Sequence, residues 1–292
     1  MVSRAVLITG CSSGIGKATA EHLAARGWTV YATGRRLQSI DNLAAQDCTT
    51  LALDVTDEES MRRAVGVVEK EHGAVGVLVN NAGYSQSGAV ETMTMPKVRD
   101  QFETNLFGPI RLTQLVLPGM RRQRWGKIVN MSSMGGRLVF PGGGIYHATK
   151  WGLEAVSDAL RFEVAAFGID VIVVEPGIVR TGFSSAAVTA LNANQEANQD
   201  AESNQDDPYE DFNASVEETT LETYVRGPVA RLGGGPETVA RVVERAITAR
   251  RPRTRYRVTA AASLLIGLRR VVSDRVWDRL VATGFRQPTP PG

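Results

Sequence analysis

Cysteine, histidine and long apolar runs are all scarce in this chain. Its two cysteines, Cys11 and Cys48, are too few for a disulfide framework or a cysteine-rich metal site, and its three histidines lack the spacing of metal ligands. We therefore expect no metal. No run of about 18 apolar residues occurs, and residues 1–10 lack the long apolar core and cleavage site of a signal peptide. These absences predict a cytoplasmic protein without a membrane-spanning helix.

Basic residues are missing from one segment. Residues 184–225 contain ten Asp and Glu but no Lys or Arg, whereas residues 226–292 contain fourteen Arg and four acidic residues. The polar composition of 184–225 predicts a mobile insertion or partly disordered loop. Because the two charges are opposite, we expect this insertion to form a lid that rests against the arginine-rich C-terminal segment and opens more readily as salt rises. Stacking aromatics are not interleaved with the arginines, so nucleic acid is not an expected partner.

Short β-branched runs alternate with longer amphipathic stretches as far as residue 175. This pattern predicts strands at 5–9, 29–33, 50–54, 76–80, 127–131 and 170–175, and helices around 15–26, 57–71, 96–122 and 145–167. A short seventh strand is expected at 255–258. The alternation is typical of an α/β protein with a doubly wound, seven-stranded parallel sheet, the Rossmann fold, in three α/β/α layers and a single domain.

The late part of the chain returns to helical patterning after the acidic insertion. A helix is expected at 236–250, and residues 260–283 form an amphipathic segment punctuated by arginine. We assign residues 1–258 to the catalytic domain, including the insertion 184–225, and residues 259–292 to an amphipathic C-terminal helix and a proline-rich tail. The helix has two interpretations: it packs on the domain or caps the site, or its arginines attach it peripherally to an anionic membrane.

Three glycines follow the first predicted strand, in Thr9-Gly10-Cys11-Ser12-Ser13-Gly14-Ile15-Gly16. Between a strand and a helix, Gly10 permits a sharp turn, Gly14 lets backbone amides approach a diphosphate, and Gly16 lets the helix pack closely on the strand. An ordinary glycine-rich turn is the alternative. The position favours a dinucleotide cofactor, with further contacts from Ser12, Ser13 and Ile15.

Arg35 and Arg36 follow the second predicted strand, where an acidic residue would bind the ribose 2′-hydroxyl of NAD. Two arginines can instead bind a 2′-phosphate, so NADP(H) is favoured over NAD(H). The alternative for Arg36 is that it only covers the sheet edge. Asp54 and Val55 are expected to contact adenine, although Asp54 would serve equally well as a cap of the following turn. The fourth strand ends at the sheet edge where ligands bind, with Asn80, Ala82 and Gly83.

Tyr146 and Lys150 are four residues apart and project from one face of a predicted helix. An ammonium beside a phenol lowers the pKa of the phenol, which would make Tyr146 a general acid/base. A surface pair is the alternative for such a motif in isolation. The preceding strand ends in Ser132 and Ser133, which places two hydroxyls at the same sheet edge.

Together these motifs resemble the short-chain dehydrogenase/reductase family, in its single-domain, seven-stranded branch, and the glycine loop is similar to that of steroid- and retinoid-type members. The resemblance implies hydride transfer between a nicotinamide and a carbonyl–alcohol pair. It also implies that Ser133, thirteen residues before Tyr146, is catalytic with Tyr146 and Lys150, while Ser132 is only a strand-end hydroxyl. The nicotinamide would be lined by Pro176, Gly177, Val179 and Thr181.

The resemblance implies a fourth catalytic residue, Asn105, on the helix after the fourth strand. Because Pro109 has no N–H, the carbonyl of Asn105 loses its helical partner and could hold a water. A kink satisfied by solvent is the alternative. Homodimers or homotetramers are also implied by the resemblance.

Apolar residues in the segments that form the substrate walls of the family favour a lipophilic ketone, aldehyde or secondary alcohol: Met134, Leu138, Phe140 and Phe183. A non-catalytic NADP-binding or sensing relative is the alternative function, but such a protein would be expected to lose Tyr146 or Lys150. A nucleotide-sugar epimerase or dehydratase would need a longer C-terminal substrate domain.

Overall fold

A computed structural model describes residues 2–201 and 208–288. Seven parallel strands form one sheet in the order β3-β2-β1-β4-β5-β6-β7. The strands are β1 (Val6–Ile8), β2 (Val30–Gly34), β3 (Cys48–Ala52), β4 (Val77–Asn80), β5 (Gly126–Met131), β6 (Ile169–Pro176) and β7 (Arg255–Val258). The predicted doubly wound, seven-stranded sheet is confirmed, and each predicted strand overlaps an observed one.

Helices cover both faces of the sheet, which explains why β1, β2 and β4 are buried at every position. On one face, α1 (Gly14–Ala24) and α8 (Pro236–Thr248) place Leu23 and Val243 against Val6 and Ile8 of β1. The other face is covered by α2 (Glu58–His72), α4 (Gly108–Gln123) and α5 (Gly144–Val164), and α3 (Met95–Phe102) packs on α5. The predicted single domain of three layers is therefore confirmed.

A widened turn joins α3 to α4. Glu103–Phe107 is π-helical, and the Gly108 N–H donates to the Glu103 carbonyl five residues earlier. Pro109 follows directly and has no N–H for an α-helical hydrogen bond. The helix widens at this point into a π-helical turn, which contains one residue more than an α-helical turn. The disturbance expected from Pro109 is confirmed, and it centres on Asn105, which is fully buried.

The acidic insertion is helical over its described residues, which makes the prediction of a partly disordered loop wrong there. It forms α6 (Phe183–Ala201) and α7 (Glu210–Leu221), followed by a π-helical turn at Glu222–Arg226. Alanine, glutamine and glutamate have high helix propensity, and they stabilise these helices without a strong apolar periodicity. Residues 202–207 of the insertion lie outside the described residues.

Hydrogen bonds to the segment after β4 and to the C-terminal segment hold this insertion in place. The Asn194 amide donates to the Ser87 carbonyl at 2.8 Å, and Tyr209 hydrogen-bonds Glu91. At its other end, Thr219 Oγ1 donates to the Gly284 carbonyl at 2.5 Å. Within residues 208–224 the acidic side chains form no ion pair with a C-terminal arginine, so the expected electrostatic contact of the lid is absent from this part of the chain.

The C-terminal segment forms two helices where one was predicted. They are α9 (Ala260–Val271) and α10 (Asp274–Ala282), separated by extended backbone at Val272 and Ser273. Ile266 and Trp277 pack with Met134 and Leu138, so this segment packs on the domain as the first interpretation proposed. No helix in the described ranges is long and apolar enough to cross a membrane.

Candidate active site

A cavity of about 630 Å³ opens beyond the carboxyl ends of β1, β4, β5 and β6. This is the edge at which open α/β sheets bind their ligands. Most of the predicted site residues line the cavity: Gly10, Ser12, Ser13, Gly14, Ile15, Arg35, Asp54, Val55, Ala82, Gly83, Ser133, Tyr146, Lys150, Pro176, Gly177, Val179, Thr181 and Phe183. The sheet therefore brings together groups that are up to 173 positions apart in the sequence.

Three predicted cofactor residues do not line the cavity: Asn80, Arg36 and Gly16. Asn80 is buried in β4 and its Nδ2 donates to Asn130 Oδ1 at 2.9 Å, so its side chain supports the sheet. Arg36 is exposed outside the cavity, and its carbonyl accepts a hydrogen bond from the Ser39 N–H at 3.0 Å. Arg35 alone of the arginine pair reaches the cavity wall.

The glycine loop leaves no room for a side chain at Gly10 or Gly16, and the backbone conformation disfavours one at Gly14. Gly10 and Gly14 have φ angles of +72° and +57°, and a Cβ on Gly10 would lie 2.8 Å from Ala82 Cα. A Cβ on Gly16 would lie 2.2 Å from the Gly10 carbonyl oxygen. Gly16 thus acts behind the cavity wall, where it allows α1 to approach the turn.

Asn81 is a functional residue that the sequence did not single out. Its Nδ2 donates to the carbonyls of Thr9 and Gly10 at 2.9 and 3.1 Å. The Thr9 hydroxyl accepts from the backbone N–H groups of Asn81 and Ala82, both at 2.9 Å. These four hydrogen bonds fix the glycine loop against the loop that follows β4. The sequence shows two adjacent asparagines, Asn80 and Asn81, at the end of β4, but it does not show which of them faces β1.

The residues of this loop fit the diphosphate of a dinucleotide. Helix α1 begins at Gly14, and its N-cap residue Ser13 makes no side-chain capping hydrogen bond. Backbone N–H groups at a helix N-terminus and the helix dipole favour an anion. The cavity extends from here to Arg35 and to Asp54, whose Oδ1 accepts from the Thr56 N–H at 2.9 Å. Asp54 therefore caps a turn and also lines the cavity.

Tyr146 and Lys150 lie in the first turns of α5 and face the cavity together with Ser133. Ser133 Oγ accepts a hydrogen bond from the Gly135 N–H at 3.0 Å, and Ser133 is the neighbour that acts to lower the pKa of the Tyr146 hydroxyl. Lys150 Nζ donates to the Met131 carbonyl at 2.9 Å and lies 5.8 Å from the centroid of the Tyr146 ring. The predicted constellation of a phenol, an ammonium and a serine hydroxyl is thus assembled in one place.

Burial controls the ionisation of Tyr146 and Lys150. It raises the pKa of Tyr146 above its usual range, although Ser133 acts in the opposite direction. It also lowers the pKa of Lys150 to about 8, against the attraction of Glu154. The expected lowering of the Tyr146 pKa is not found at this site, because burial is the largest effect and raises that pKa. At neutral pH, Tyr146 is a neutral proton donor beside a mainly charged Lys150.

Asn105 lies behind the cavity wall. Its Oδ1 accepts from the Tyr84 N–H at 3.1 Å, and its Nδ2 donates to the Tyr84 carbonyl at 2.9 Å. A Cβ on Gly83 would lie 3.1 Å from Asn105 Oδ1 and 3.6 Å from Lys150 Nζ. The side-chain amide of Asn105 therefore fixes the Gly83–Tyr84 segment, which lies between Asn105 and Lys150.

Aromatic residues of the insertion cover the reactive end of the cavity. The Phe183 ring lies 5.5 Å from the Tyr146 ring, and Ala186 and Tyr224 also line the cavity. The sequence did not single out Tyr224, since residues 184–225 were interpreted as a loop. Tyr84 and Ser85, which also line the cavity, were missed individually.

Three of the four predicted substrate residues do not line this cavity. Met134 and Leu138 are buried against the C-terminal helices. The Phe140 ring lies 6.0 Å from that of Trp277, and it lines a separate cavity of about 600 Å³. The structure does not bring these three residues to this cavity, because α9 and α10 pack against their apolar surface. Among the described residues no cluster of three or more His, Cys, Asp or Glu could hold a metal ion.

Comparison with known proteins identifies the class to which this fold and site belong. The family model described as short chain dehydrogenase matches residues 4–192. The chain belongs to the short-chain dehydrogenase/reductase family. It is therefore an oxidoreductase that acts on alcohol and ketone groups with a nicotinamide cofactor.

Two relatives illustrate the similarity. The uncharacterized oxidoreductase YbbO of Escherichia coli K12 is 34% identical over 282 residues, which cover 96% of this chain and 95% of the relative. A 3-ketodihydrosphingosine reductase of Bacteroides thetaiotaomicron is 43% identical over 184 residues, covering 63% of this chain and 67% of the reductase.

Solved structures agree with the assignment to this family. A short-chain dehydrogenase from Streptomyces avermitilis has a TM-score of 0.74 and 32% identity, covering 96% of this chain and 95% of that one. A metagenomic short-chain oxidoreductase in complex with NADP has a TM-score of 0.58 and 30% identity, with 67% and 92% coverage. The fold is also shared with a Burkholderia phymatum enzyme in complex with NAD, at 24% identity, a TM-score of 0.75, and 100% and 98% coverage.

We expect Gly16→Ala to weaken binding of the nicotinamide cofactor by about 10-fold or more, because the added Cβ would push the Gly10 carbonyl out of the turn. Titration followed by nicotinamide fluorescence measures the effect. Gly66→Ala is the matched control, since no atom lies within 4 Å of its added Cβ and it should bind as the unaltered protein does. Unchanged binding by Gly16→Ala would contradict this interpretation of the glycine loop.

Proposed function

We propose that this protein is an NADP(H)-dependent oxidoreductase for a hydrophobic ketone, aldehyde or secondary alcohol. The observation that carries the proposal is the meeting of Tyr146, Ser133 and Lys150 in the same cavity as the glycine loop. A proton donor, a second hydroxyl and a buried cation lie there beside a cradle for a dinucleotide. The family assignment supports the reaction class, and the cavity wall supports the choice of substrate and cofactor.

The cofactor would be held along the carboxyl edge of the sheet. The N-terminus of α1 and the glycine loop bind the diphosphate, and Lys150 holds the nicotinamide ribose. The nicotinamide end would be lined by Pro176, Gly177, Val179 and Thr181. When bound, the nicotinamide supplies the hydride for carbonyl reduction or accepts it from an alcohol. Arg35 carries the preference for NADP(H), because it is the arginine of the pair that lines the cavity.

The chain itself positions the substrate and moves the proton. Ser133 and Tyr146 hydrogen-bond the substrate oxygen, and during reduction the Tyr146 O–H donates its proton to that oxygen. Lys150 stabilises the phenolate that remains on Tyr146. Asn105 fixes the wall next to Lys150, and its backbone carbonyl, four residues before Pro109, would hold a water through which a proton returns from solvent.

The substrate class follows from the walls around Tyr146. Phe183 and Ala186 of α6, together with Tyr224, present mainly apolar surface to the reactive end of the cavity. Such surface favours a lipophilic carbonyl compound over a sugar or a small acid. The relative named 3-ketodihydrosphingosine reductase supports a keto group on a largely apolar molecule.

We also propose that this enzyme forms a homodimer or homotetramer and contacts a membrane peripherally. On α5, Phe162 is 90% exposed, as expected of a residue that another subunit covers. On α9 and α10, Leu264, Val271 and Leu280 are exposed. Three exposed arginines accompany these apolar side chains and suit an anionic lipid surface: Arg270, Arg275 and Arg279.

Tyr146→Phe is expected to lower kcat for carbonyl reduction by about 10² to 10⁴-fold, because the proton donor is removed. Affinity for NADPH should stay within a few-fold of the original value. A screen of hydrophobic ketones, followed by NADPH oxidation, provides the assay. Tyr256→Phe on β7 is the control and should be fully active. Equal turnover by Tyr146→Phe would refute the assigned role.

Arg35→Ala is expected to raise the KM for NADPH by about 10- to 100-fold while changing the KM for NADH little, because a charge-assisted contact to the 2′-phosphate is lost. Steady-state kinetics with both cofactors measure the difference. Arg36→Ala, at the neighbouring exposed position, should leave both values unchanged. A parallel change for NADPH and NADH in Arg35→Ala would rule out recognition of the 2′-phosphate.

Co-sedimentation with vesicles tests the membrane contact. The full chain should sediment with vesicles rich in phosphatidylglycerol, less so at high salt, and not with pure phosphatidylcholine. The double variant Leu264→Asp/Val271→Asp should remain in the supernatant, whereas Val67→Asp, at an exposed position on α2, should bind as the unaltered chain does. Undiminished binding by the double variant would exclude α9 as the contact.

A further inference from the structure

Two buried carboxylates and three partly exposed arginines form a cluster next to the face of α5 that carries Tyr146 and Lys150. Glu154 follows Lys150 by one helical turn and is buried. Its Oε2 accepts a hydrogen bond from Arg255 Nε of β7 at 2.9 Å and lies 4.0 Å from Arg137 Nη1. Arg137 belongs to the segment that follows Ser133. The Glu154 carboxylate is therefore held by cations from two other elements.

A second buried carboxylate extends the cluster into β6. Glu175 is only 1% exposed and lies next to Pro176 at the nicotinamide end of the cavity. Its Oε1 lies 3.4 Å from Arg255 Nε, and its Oε2 lies 3.5 Å from Arg257 Nε. Burial and the nearby Glu154 raise the pKa of Glu175, while the arginines lower it. The cluster thus joins β6 and β7 to α5.

Close packing brings Glu154 to the active-site wall. A Cβ on Gly136 would lie 2.6 Å from Ser132 Oγ, 3.0 Å from Glu154 Cγ and 3.2 Å from the Lys150 carbonyl oxygen. Ser132 lines the cavity. Glu154 and the backbone of Lys150 therefore meet immediately behind this wall, at a glycine that allows the approach.

The other groups packed around Lys150 carry no negative charge at neutral pH. Lys150 Nζ donates to the Met131 carbonyl of β5, the Asn105 amide lies across Gly83, and Tyr146 on the same helix is protonated. Burial favours the uncharged amine of Lys150, and Glu154 is the charge that opposes this effect. Glu154 has its own neighbours in Arg137, Arg255, Glu175 and Asp158.

We propose that Glu154 is a positioning residue whose carboxylate, oriented by Arg255 and Arg137, keeps the buried Lys150 ammonium charged in the active site. The inference rests on the proposed function, since the charge of Lys150 matters there for the proton transfer by Tyr146. Arg255 fixes the position of the carboxylate through the 2.9 Å hydrogen bond to Oε2. Removing its charge lowers the pKa of Lys150 and makes the lysine lose its proton at a lower pH.

Glu154→Gln tests this inference, and Asp158→Asn is its matched control. Each variant removes one carboxylate of α5 that pairs with Arg255. Glu154 is one helical turn from Lys150, whereas Asp158 is two turns away. Two readouts are compared: the pH dependence of kcat for carbonyl reduction, and the titration of Lys150 followed by NMR of ¹³Cε-labelled lysine. The chain has five lysines, and Lys150→Met identifies the Lys150 signal.

In Glu154→Gln, the titration midpoint of Lys150 and the alkaline limb of kcat should both move about one pH unit lower. Both should keep their original positions in Asp158→Asn, even where its stability falls. An unmoved Lys150 midpoint in Glu154→Gln would overturn the proposal. If the unaltered protein reduces no carbonyl compound, the proposed function fails, while the NMR titration still decides the role of Glu154.

A second pair of variants covers the case in which Glu154→Gln does not fold. Glu154→Gln/Arg255→Gln removes both charges of the Glu154–Arg255 ion pair, so that neither charge of this pair loses its partner alone. Compared with Arg255→Gln alone, the double variant should titrate Lys150 about one pH unit lower. Equal midpoints in the two variants would contradict the proposal.

Discussion

The parallel pairing of β1, β4, β5 and β6 is the constraint on which the active site depends. Its register sets Ile8 beside Val79, Asn80 beside Asn130, and Met131 beside Val174. The segments that follow these strands then meet at one edge of the sheet. Hydrogen bonds between Thr9 and Asn81 fix the first two of these segments. The glycine loop and the catalytic groups are thereby held on rigid elements around one cavity.

Burial at this edge has opposite effects on the two catalytic side chains. It holds the proton on Tyr146 and favours its loss from Lys150. If the site held only these two residues, burial would favour the uncharged forms of both Tyr146 and Lys150. The phenolate of Tyr146 would then lack the ammonium that stabilises it. The carboxylate of Glu154, one helical turn from Lys150, opposes that tendency. In our proposal, the ion cluster around Glu154 and the proton transfer by Tyr146 are linked through this one charge.

The sequence predicted those parts of the molecule that have strong periodicity or special backbone chemistry. The strands alternate with helices of clear pattern, and Gly10 and Gly14 adopt the positive φ angles that only glycine adopts easily. The choice between Asn80 and Asn81 could not be made in this way. Successive side chains at a strand end point in opposite directions, and the strand boundary decides which one faces β1.

Other parts could not be predicted because they depend on contacts remote in sequence. Leu138 and Phe140 are apolar and close to Ser133 along the chain, but α10 packs on them through Trp277. Likewise, Tyr224 reaches the cavity only because the polar insertion is helical and folds over it. Apolar character indicates burial in such cases and does not indicate which partner covers the side chain.

Deuterium transfer tests the central claim of nicotinamide-dependent carbonyl reduction most directly. The enzyme would be incubated with a hydrophobic ketone and with NADPH deuterated at C4, using the 4R and 4S forms separately, and the alcohol analysed by mass spectrometry. The account predicts one deuterium on the carbinol carbon with one of the two cofactor forms and none with the other. Alcohol formed without deuterium from either form, or no alcohol from any hydrophobic ketone, would contradict it.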